Sequence, residues 1–230
     1  LAGEGWIIAA TARNAEALID LQDTAPKGAV HCYPGDVANG ARMKEIVGQI
    51  LTHLGKLDLI ILNAGILLPD NAMNFNAERF RRTIDTNLCG VANALDPALI
   101  HFRGLGQGHI VIVASIAGYM GLQGFLSYGP SKAALINFAQ SLAMDLSDTE
   151  IKVQVVNPGY VATPMTQTLD LGYETPVPAS VAAHKIIRGM KSSRFEITFP
   201  WSASYALKFV SCLPAKAAFF LLSRHKKAHS

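Results

Sequence analysis

The segment Leu57-Asp58-Leu59-Ile60-Ile61-Leu62, followed directly by Asn63-Ala64-Gly65, gives the clearest indication of the fold class. Apart from Asp58 it is a continuous apolar run, which is typical of a strand buried on both faces of a parallel sheet. Two further predicted strands also end in polar or turn-forming residues. Residues 109–114 run into Ser115, and residues 152–156 run into Asn157-Pro158-Gly159. Parallel strands require long crossovers, usually helical, so we expect helices to cover this sheet.

Strands and helices alternate along the rest of the chain. Short apolar runs predict further strands at 7–11, 29–33 and 195–199. Helical periodicity and end signals predict helices at 15–22, 41–54, 77–102, 130–146 and 179–190. No repeat or linker divides the chain. The sequence therefore predicts one α/β domain over residues 1–230, a doubly wound and mostly parallel sheet with helices on both faces.

Composition excludes several classes of protein. Half of the 230 residues are hydrophobic and 16% are charged, which argues against disorder. A net charge of +3 is too small to imply a nucleic-acid partner. The 3 cysteines are widely spaced and match neither a disulfide framework nor a metal motif, so we predict a cytoplasmic protein. The 7 histidines lack metal-ligand spacing, and no metal is expected.

Polar or glycine-bearing segments follow the carboxyl ends of the predicted strands. They are Arg13-Asn14, Asp36-Val37, Asn63-Ala64-Gly65, Ser115 and Pro158-Gly159. In open α/β sheets this edge is where ligands bind, so we expect the site here.

A tyrosine and a lysine stand four residues apart in Ser127-Tyr128-Gly129-Pro130-Ser131-Lys132. On a helix this spacing puts both side chains on one face. An ammonium beside a phenol stabilises the phenolate and is expected to lower the pKa of Tyr128. With Ser115 at a neighbouring strand end, the trio suits proton transfer at a carbonyl or alcohol oxygen while a cofactor handles the hydride.

These motifs, in this order, resemble the short-chain dehydrogenase/reductase family over nearly the whole chain. The family's Asn-Ala-Gly motif matches Asn63-Ala64-Gly65, and its asparagine in the long fourth helix matches Asn87. Its serine matches Ser115, its Tyr-x-x-x-Lys matches Tyr128 and Lys132, and its Pro-Gly turn matches Pro158-Gly159. The resemblance implies a Rossmann-like fold, a dinucleotide cofactor and usually a homodimer or homotetramer.

The resemblance also implies a role for each matching residue. Tyr128 is the expected general acid/base and also a cofactor contact. Lys132 is expected to tune the pKa of Tyr128 and to bind the nicotinamide ribose, and Ser115 to orient the substrate oxygen. Asn87 is expected to hold a water in a proton relay that reaches Lys132. The expected cofactor contacts are Asp36 and Val37 at the adenine, Asn63, Ala64 and Gly65 along the adenosine side, and Pro158, Gly159, Val161 and Thr163 at the nicotinamide and pyrophosphate.

The chain departs from the family pattern at its front. The family begins with a strand and a Thr-Gly-x-x-x-Gly-x-Gly phosphate loop, and neither is found in residues 1–230. Gly3 and Gly5 precede a strand instead of joining a strand to a helix. We therefore expect residues 1–230 to lack the domain's first strand and its phosphate loop, a segment of roughly 20 to 30 residues.

The end of the predicted strand 7–11 indicates which dinucleotide is used. An acidic residue there would bind the ribose 2′-hydroxyl of NAD. The chain instead carries Arg13, with no carboxylate before Glu16. A guanidinium can pair with a 2′-phosphate, so NADP(H) is favoured over NAD(H). In the alternative interpretation Arg13 only caps a loop.

The leading hypothesis is an NADP(H)-dependent oxidoreductase that interconverts a carbonyl and a secondary alcohol. The alternative is a non-catalytic dinucleotide-binding or scaffold protein of the same fold. A hydrolase is not indicated, because Ser115 lacks the flanking glycines of a nucleophile elbow. Residues 166–178 match the family's variable substrate lid, and their apolar side chains favour a mainly apolar substrate.

The tail, residues 201–230, is aromatic and aliphatic with a basic end. Lys208, Pro214 and Lys216 interrupt it, so a membrane-spanning helix is not expected. Packing over the substrate pocket or against a partner subunit is the favoured interpretation. A peripheral amphipathic membrane contact is the alternative.

Overall fold

A computed structural model describes residues 1–166 and 175–227, with side chains through residue 222, and shows the predicted alternation of strands and helices. The strands are β1 (Ile8–Ala10), β2 (Val30–Cys32), β3 (Leu59–Leu62), β4 (Gln107–Val113), β5 (Glu150–Pro158), β6 (Val161–Ala162), β7 (Val177–Pro178) and β8 (Glu196–Phe199). The helices are α1 (Ala15–Thr24), α2 (Gly40–Leu54), α3 (Ala77–Ile84), α4 (Gly90–Leu105), α5 (Tyr128–Asp145), α6 (Ala179–Met190), α7 (Trp201–Ser211) and α8 (Ala215–Lys227).

The strands form a parallel arrangement in two main parts. One part is the four-stranded sheet β3-β4-β5-β8, and the other is the pair β1-β2. In the larger sheet Leu59 lies opposite His109, and Val113 lies opposite Val156. All of these pairings are parallel, which confirms the predicted fold class.

The core lies on both faces of β4, because successive side chains of a strand point to opposite faces. Ile110 and Ile112 pack with Phe102 of α4 and Leu135 of α5 on one face. Val111 and Val113 pack with residues of β8 and α6 on the other face. The continuous apolar run of β4 is therefore explained by burial on two sides.

Asparagine side chains begin several helices. Asn14, Asn39 and Asn76 precede α1, α2 and α3, and each accepts a hydrogen bond from the backbone N–H three residues later. Such caps satisfy donors that a helix start otherwise leaves unpaired. Gly55 ends α2 with a φ of 82°, as its glycine predicted.

One predicted helix differs from the structure, and two regions form helices that the sequence analysis did not predict. The helix expected over 77–102 is interrupted by a π-helical turn, Asp85–Cys89, which separates α3 from α4. The tail forms two helices, α7 and α8, joined at Leu213-Pro214. A turn of Ile116–Gly118 also follows Ser115 as a 3₁₀ helix.

A cavity of about 1040 Å³ separates the two parts of the sheet. Residues 7–13, along β1, line one side, and residues 56–65, along β3, line another. Within the described residues no backbone ladder joins β1 to β3. Strands β1 and β3 thus border one open space.

The sheet imposes a tight contact at Gly108 of β4, which a substitution can test. A Cβ on Gly108 would lie 2.4 Å from the ring of the fully buried Phe102. Gly108→Ala is expected to lower the free energy of unfolding by about 1–3 kcal/mol through overpacking. Urea titration followed by circular dichroism measures the change.

Gly104→Ala is the matched control, because a Cβ at this exposed position of α4 meets nothing within 4 Å. It is expected to raise the free energy of unfolding by about 0.5–1 kcal/mol, since glycine is a poor helix former. Equal effects of the two substitutions would contradict the packing around Phe102.

Candidate active site

Lys132 and Tyr128 lie one turn apart on α5, as the spacing predicted. The Lys132 side chain is 4% exposed, and its Nζ donates a 2.9 Å hydrogen bond to the carbonyl oxygen of Val113 at the end of β4. The same Nζ lies 5.6 Å from the centre of the Tyr128 ring. The structure therefore brings the predicted pair together at the carboxyl end of the central strands.

Asn87, in the π-helical turn, clamps the segment that follows β3. Its Oδ1 accepts a 2.7 Å hydrogen bond from the Ile66 N–H, and its Nδ2 donates to the Ile66 carbonyl at 2.9 Å. Nδ2 also donates to Ser131 Oγ on α5 at 3.0 Å. Gly65 passes so close that a Cβ there would lie 3.3 Å from Asn87 Oδ1 and 3.6 Å from Lys132 Nζ. Asn87, Gly65 and Lys132 thus share one polar centre.

Ser115 sits at the end of β4 and caps the 3₁₀ turn that follows. Its Oγ accepts from the Ala117 N–H at 3.1 Å and donates to the Pro158 carbonyl at 3.4 Å. The turn lies directly against α5, because a Cβ on Gly118 would be 2.7 Å from the carbonyl carbon of Lys132. Gly118 was not singled out from the sequence, and it is what allows Ser115 to approach α5.

Burial sets the pKa values of the Tyr128–Lys132 pair. Desolvation raises the pKa of Tyr128, and the Ser115 hydroxyl opposes that rise. Desolvation lowers the pKa of Lys132 to about 8. The expectation that Lys132 leaves Tyr128 with a lowered pKa is wrong for this structure, because the cost of burying a phenolate is larger than any stabilisation it receives here.

A buried carboxyl group that the sequence analysis missed holds the start of α5. Asp70 is buried, and it accepts hydrogen bonds from both the N–H and the hydroxyl of Ser127, the residue before Tyr128. The two residues are 57 positions apart. Only a local signal, the serine before a helix start, was present in the sequence.

A second missed cluster centres on Glu196 of β8. Its carboxylate accepts from the Tyr119 hydroxyl at 2.5 Å, from Asn157 Nδ2 at 2.6 Å and from Lys208 Nζ of α7. Bonds to Lys208, Tyr119 and Asn157 outweigh the cost of burial and lower the pKa of Glu196. Tyr119 directly follows the turn after Ser115, and Asn157 precedes Pro158, whose carbonyl accepts a hydrogen bond from Ser115. The Glu196 cluster therefore holds the two segments that adjoin the Ser115 side chain.

Residues predicted for the adenosine side of a dinucleotide meet in one place. Arg13, Asp36, Val37, Asn63, Ala64 and Gly65 all line the large cavity. Arg13 Nη1 lies 3.9 Å from Asp36 Oδ2, with both side chains about half exposed. A pair this open to water binds weakly, which leaves the guanidinium available to a ligand anion.

The predicted nicotinamide side follows β5. Gly159 packs closely, because a Cβ there would be 2.9 Å from Pro200 Cδ and 3.2 Å from Ile116 Cδ1. Thr163 Oγ1 lies 3.1 Å from Thr166 Oγ1, in a turn that starts from β6, the strand that contains Val161. β7 contains the last two residues of the predicted lid and pairs with β6, which precedes the lid. Residues 167–174 of the lid and 228–230 of the tail lie outside the described residues.

The residues that line the cavity fit the adenosine side of a nicotinamide dinucleotide. Arg13 offers a cation in the cavity that Asn63, Ala64 and Gly65 also line. No group of three metal-ligating side chains occurs in the part of the chain that the structure describes.

The buried ammonium of Lys132 predicts a pH-dependent stability. Its pKa is about 8 in the folded chain against 10.5 ordinarily, so between these values the folded state releases its proton first and stability rises with pH. Lys132→Met removes this rise. The free energy of unfolding of Lys132→Met minus that of the wild type should be largest near neutral pH. This difference should decrease by up to about 3 kcal/mol by a pH of about 10.

Denaturant titrations at several pH values measure this difference, with Lys44→Met, an exposed lysine of α2, as the control. A constant difference between wild type and Lys132→Met across this range would contradict the buried ammonium.

Comparisons with known proteins agree with this geometry. A family model for short chain dehydrogenases matches residues 1–174. An uncharacterized oxidoreductase of Myxococcus xanthus is 32% identical over 220 residues, which cover 93% of this chain and 85% of that protein. The 3-oxoacyl-(acyl-carrier-protein) reductase of Escherichia coli K12 is 30% identical over 178 residues, which cover 77% and 71%.

A solved structure, the closed form of serine dehydrogenase complexed with NADP+, is similar with a TM-score of 0.69 and 26% identity over 94% of this chain and 83% of that one. The resemblance predicted from the motifs is thereby confirmed. The chain belongs to the short-chain dehydrogenase family, and it is an oxidoreductase that acts on carbonyl or alcohol groups with a nicotinamide dinucleotide.

Proposed function

We propose that this protein is an NADP(H)-dependent enzyme that interconverts a carbonyl and a secondary alcohol, with Tyr128 as its general acid/base. One observation carries the proposal. Four side chains from three parts of the fold, those of Asn87, Ser115, Tyr128 and Lys132, converge where β4 ends. A merely structural site has no need for a buried lysine beside a partly buried phenol.

The proton chemistry follows from this arrangement. When bound, the dinucleotide supplies or accepts the hydride. In the reducing direction the Tyr128 hydroxyl protonates the substrate oxygen, and the Ser115 hydroxyl donates a second hydrogen bond to that oxygen. The Lys132 ammonium stabilises the phenolate that remains. In the oxidising direction the phenolate takes the proton back.

The raised pKa of Tyr128 suits the first of these directions. A phenol that holds its proton at neutral pH is ready to act as an acid. To act as a base, Tyr128 must form a phenolate, which a nearby cation stabilises. Lys132 is that cation only while its amine is protonated. With a pKa of about 8 for Lys132, that cation is lost in moderately alkaline solution.

Asn87 positions the site through its amide. Its Nδ2 donates both of its protons in hydrogen bonds, one to the Ile66 carbonyl and one to Ser131 Oγ. The relay water proposed for Asn87 would therefore be held by Oδ1 and by nearby backbone groups. The clamp also keeps Gly65 near Lys132.

The dinucleotide would be held along the strand ends. Asp36 and Val37 would contact the adenine, Asn63, Ala64 and Gly65 the adenosine side, and Pro158, Gly159, Val161 and Thr163 the nicotinamide and pyrophosphate. Lys132 would also bind the nicotinamide ribose. Arg13 supports NADP(H), because its half-exposed guanidinium lies at the edge of the cavity that contains Asp36 and Val37. The NADP+ bound by the related serine dehydrogenase is consistent with this choice.

The cavity between β1 and β3 supports a further part of this proposal. An added parallel strand in that gap would pair with both facing edges, and a glycine-rich turn after it would bring the phosphate cradle.

The substrate is proposed to be small and mainly apolar, in line with the apolar lid residues and the relative that reduces a 3-oxoacyl group. A homodimer or homotetramer in the cytoplasm remains our expectation.

Tyr128→Phe tests the mechanism, because it keeps the ring and removes the acid. We expect kcat to fall about 100-fold to 10,000-fold, the usual size of general acid–base catalysis, with little change in dinucleotide affinity. NADPH consumption is followed spectrophotometrically over a panel of ketones and 3-oxoacyl thioesters.

Tyr205→Phe, at an exposed position of α7, is the matched control and should keep wild-type turnover. Near-normal turnover of Tyr128→Phe would overturn the mechanism. Dinucleotide binding by the wild type without turnover of any substrate would instead support the non-catalytic alternative.

Arg13→Glu tests the cofactor preference. Removing the guanidinium takes away charge-assisted hydrogen bonds to a 2′-phosphate, so the ratio of the Kd values for NADPH and NADH should shift toward NADH by about 10-fold to 100-fold. Fluorescence titration with each dinucleotide measures it.

Arg103→Glu, an exposed substitution of the same charge near the end of α4, should leave the ratio unchanged. An unchanged ratio in Arg13→Glu would show that Arg13 only caps its loop.

A further inference from the structure

Helices α7 and α8 carry large apolar side chains that the rest of the described chain leaves uncovered. Trp201, Tyr205 and Phe209 follow one another at four-residue spacing on α7 and are 72%, 61% and 68% exposed. Phe219 on α8 is 63% exposed. With about 150–250 Å² per aromatic side chain, these four residues alone expose on the order of 500 Å². We call them the aromatic patch.

This spacing keeps the α7 residues of the aromatic patch on one face of their helix. Ser204, on another face, is fully buried, and its Oγ contacts Thr198 Oγ1 of β8 at 2.5 Å. Lys208 binds the Glu196 carboxylate. The inner side of α7 is therefore fixed to the sheet by polar contacts, and its aromatic side is presented to the surroundings in a preformed state.

The charge of this part of the chain has one sign. After Glu196, whose carboxylate pairs with Lys208, the sequence contains no aspartate or glutamate, whereas it contains Lys216, Arg224, Lys226 and Lys227. Three of these basic residues lie in the last turns of α8, directly after its apolar stretch Phe219-Phe220-Leu221-Leu222. Aromatic residues beside a basic segment fit an anionic bilayer surface, where rings enter the headgroup region and cations pair with lipid phosphates.

Two other ways to cover the patch fit less well. No described helix is long and apolar enough to span a membrane. A two-fold contact with a second copy through this face would bring two acid-free basic segments together, since such a contact uses the same patch on both subunits. Their repulsion disfavours that arrangement.

We propose that α7 and α8 form a peripheral membrane-binding surface, which places the aromatic patch in the headgroup region of an anionic lipid bilayer. The basic end of α8 adds electrostatic attraction. The proposal is independent of the activity proposed for the Tyr128 site, because none of its residues belongs to that site.

Trp201 provides a direct probe. The chain has 2 tryptophans, so Trp6→Phe in the full chain leaves Trp201 as the single emitter. On addition of vesicles made of phosphatidylcholine and phosphatidylglycerol, its emission should shift to shorter wavelength, as expected when an indole leaves water. Vesicles of phosphatidylcholine alone should give a weaker response, since each lysine near an anionic surface adds about fivefold in affinity.

Two sets of variants separate apolar from charge contributions in vesicle cosedimentation. The double variant Trp201→Ser/Phe209→Ser should bind anionic vesicles at least about tenfold more weakly. Lys226→Glu/Lys227→Glu should weaken binding to anionic vesicles and leave binding to neutral ones unchanged. The control Ile100→Ser/Met144→Ser removes exposed apolar side chains from α4 and α5 and should bind as wild type.

Three results would overturn the proposal. These are no cosedimentation and no emission shift with anionic vesicles, equal loss of binding in the Ile100→Ser/Met144→Ser control, or a dimer in light scattering that dissociates in Trp201→Ser/Phe209→Ser without any vesicle binding. The last would assign the patch to a second copy. Circular dichroism confirms that each variant is folded.

Discussion

The hydrogen bond from the Lys132 ammonium to the Val113 carbonyl is the interaction on which the site depends. It joins α5 to the end of β4 at a buried position, and no ion pair compensates this charge within the described residues. Burying an uncompensated cation is costly, and an apolar side chain would serve packing better. The proposed mechanism accounts for this cation, because a developing phenolate on Tyr128 is the anion that it would stabilise.

The surrounding polar groups limit how Lys132 and Tyr128 can move. Asn87 holds the turn after β3 against α5, Gly118 lets the Ser115 turn touch the Lys132 backbone, and Asp70 fixes Ser127 just before Tyr128. Each contact begins on a different element, so the site is positioned by the packed sheet and not by one loop. That rigidity is what proton transfer to a substrate oxygen requires.

A contact could be predicted from the sequence only when the interacting residues lie close together along the chain. The strands, the Tyr128–Lys132 spacing and the polar strand ends were predictable, because each rests on a local period or a neighbouring residue. The bonds of Asp70 to Ser127 and of Glu196 to Tyr119 were not, because they join residues 57 and 77 positions apart. The direction of the Tyr128 pKa was wrong for a related reason, since burial is a property of the folded whole.

The two parts of the sheet carry different sets of the proposed site residues. The sheet β3-β4-β5-β8 contains its own core on both faces and positions every proposed proton-transfer residue. The pair β1-β2 carries Arg13 and Asp36 at its strand ends, on the other side of the cavity. A dinucleotide that contacts both parts would link them. Its binding should therefore stabilise the relative position of the two parts, because only that position lets it contact both.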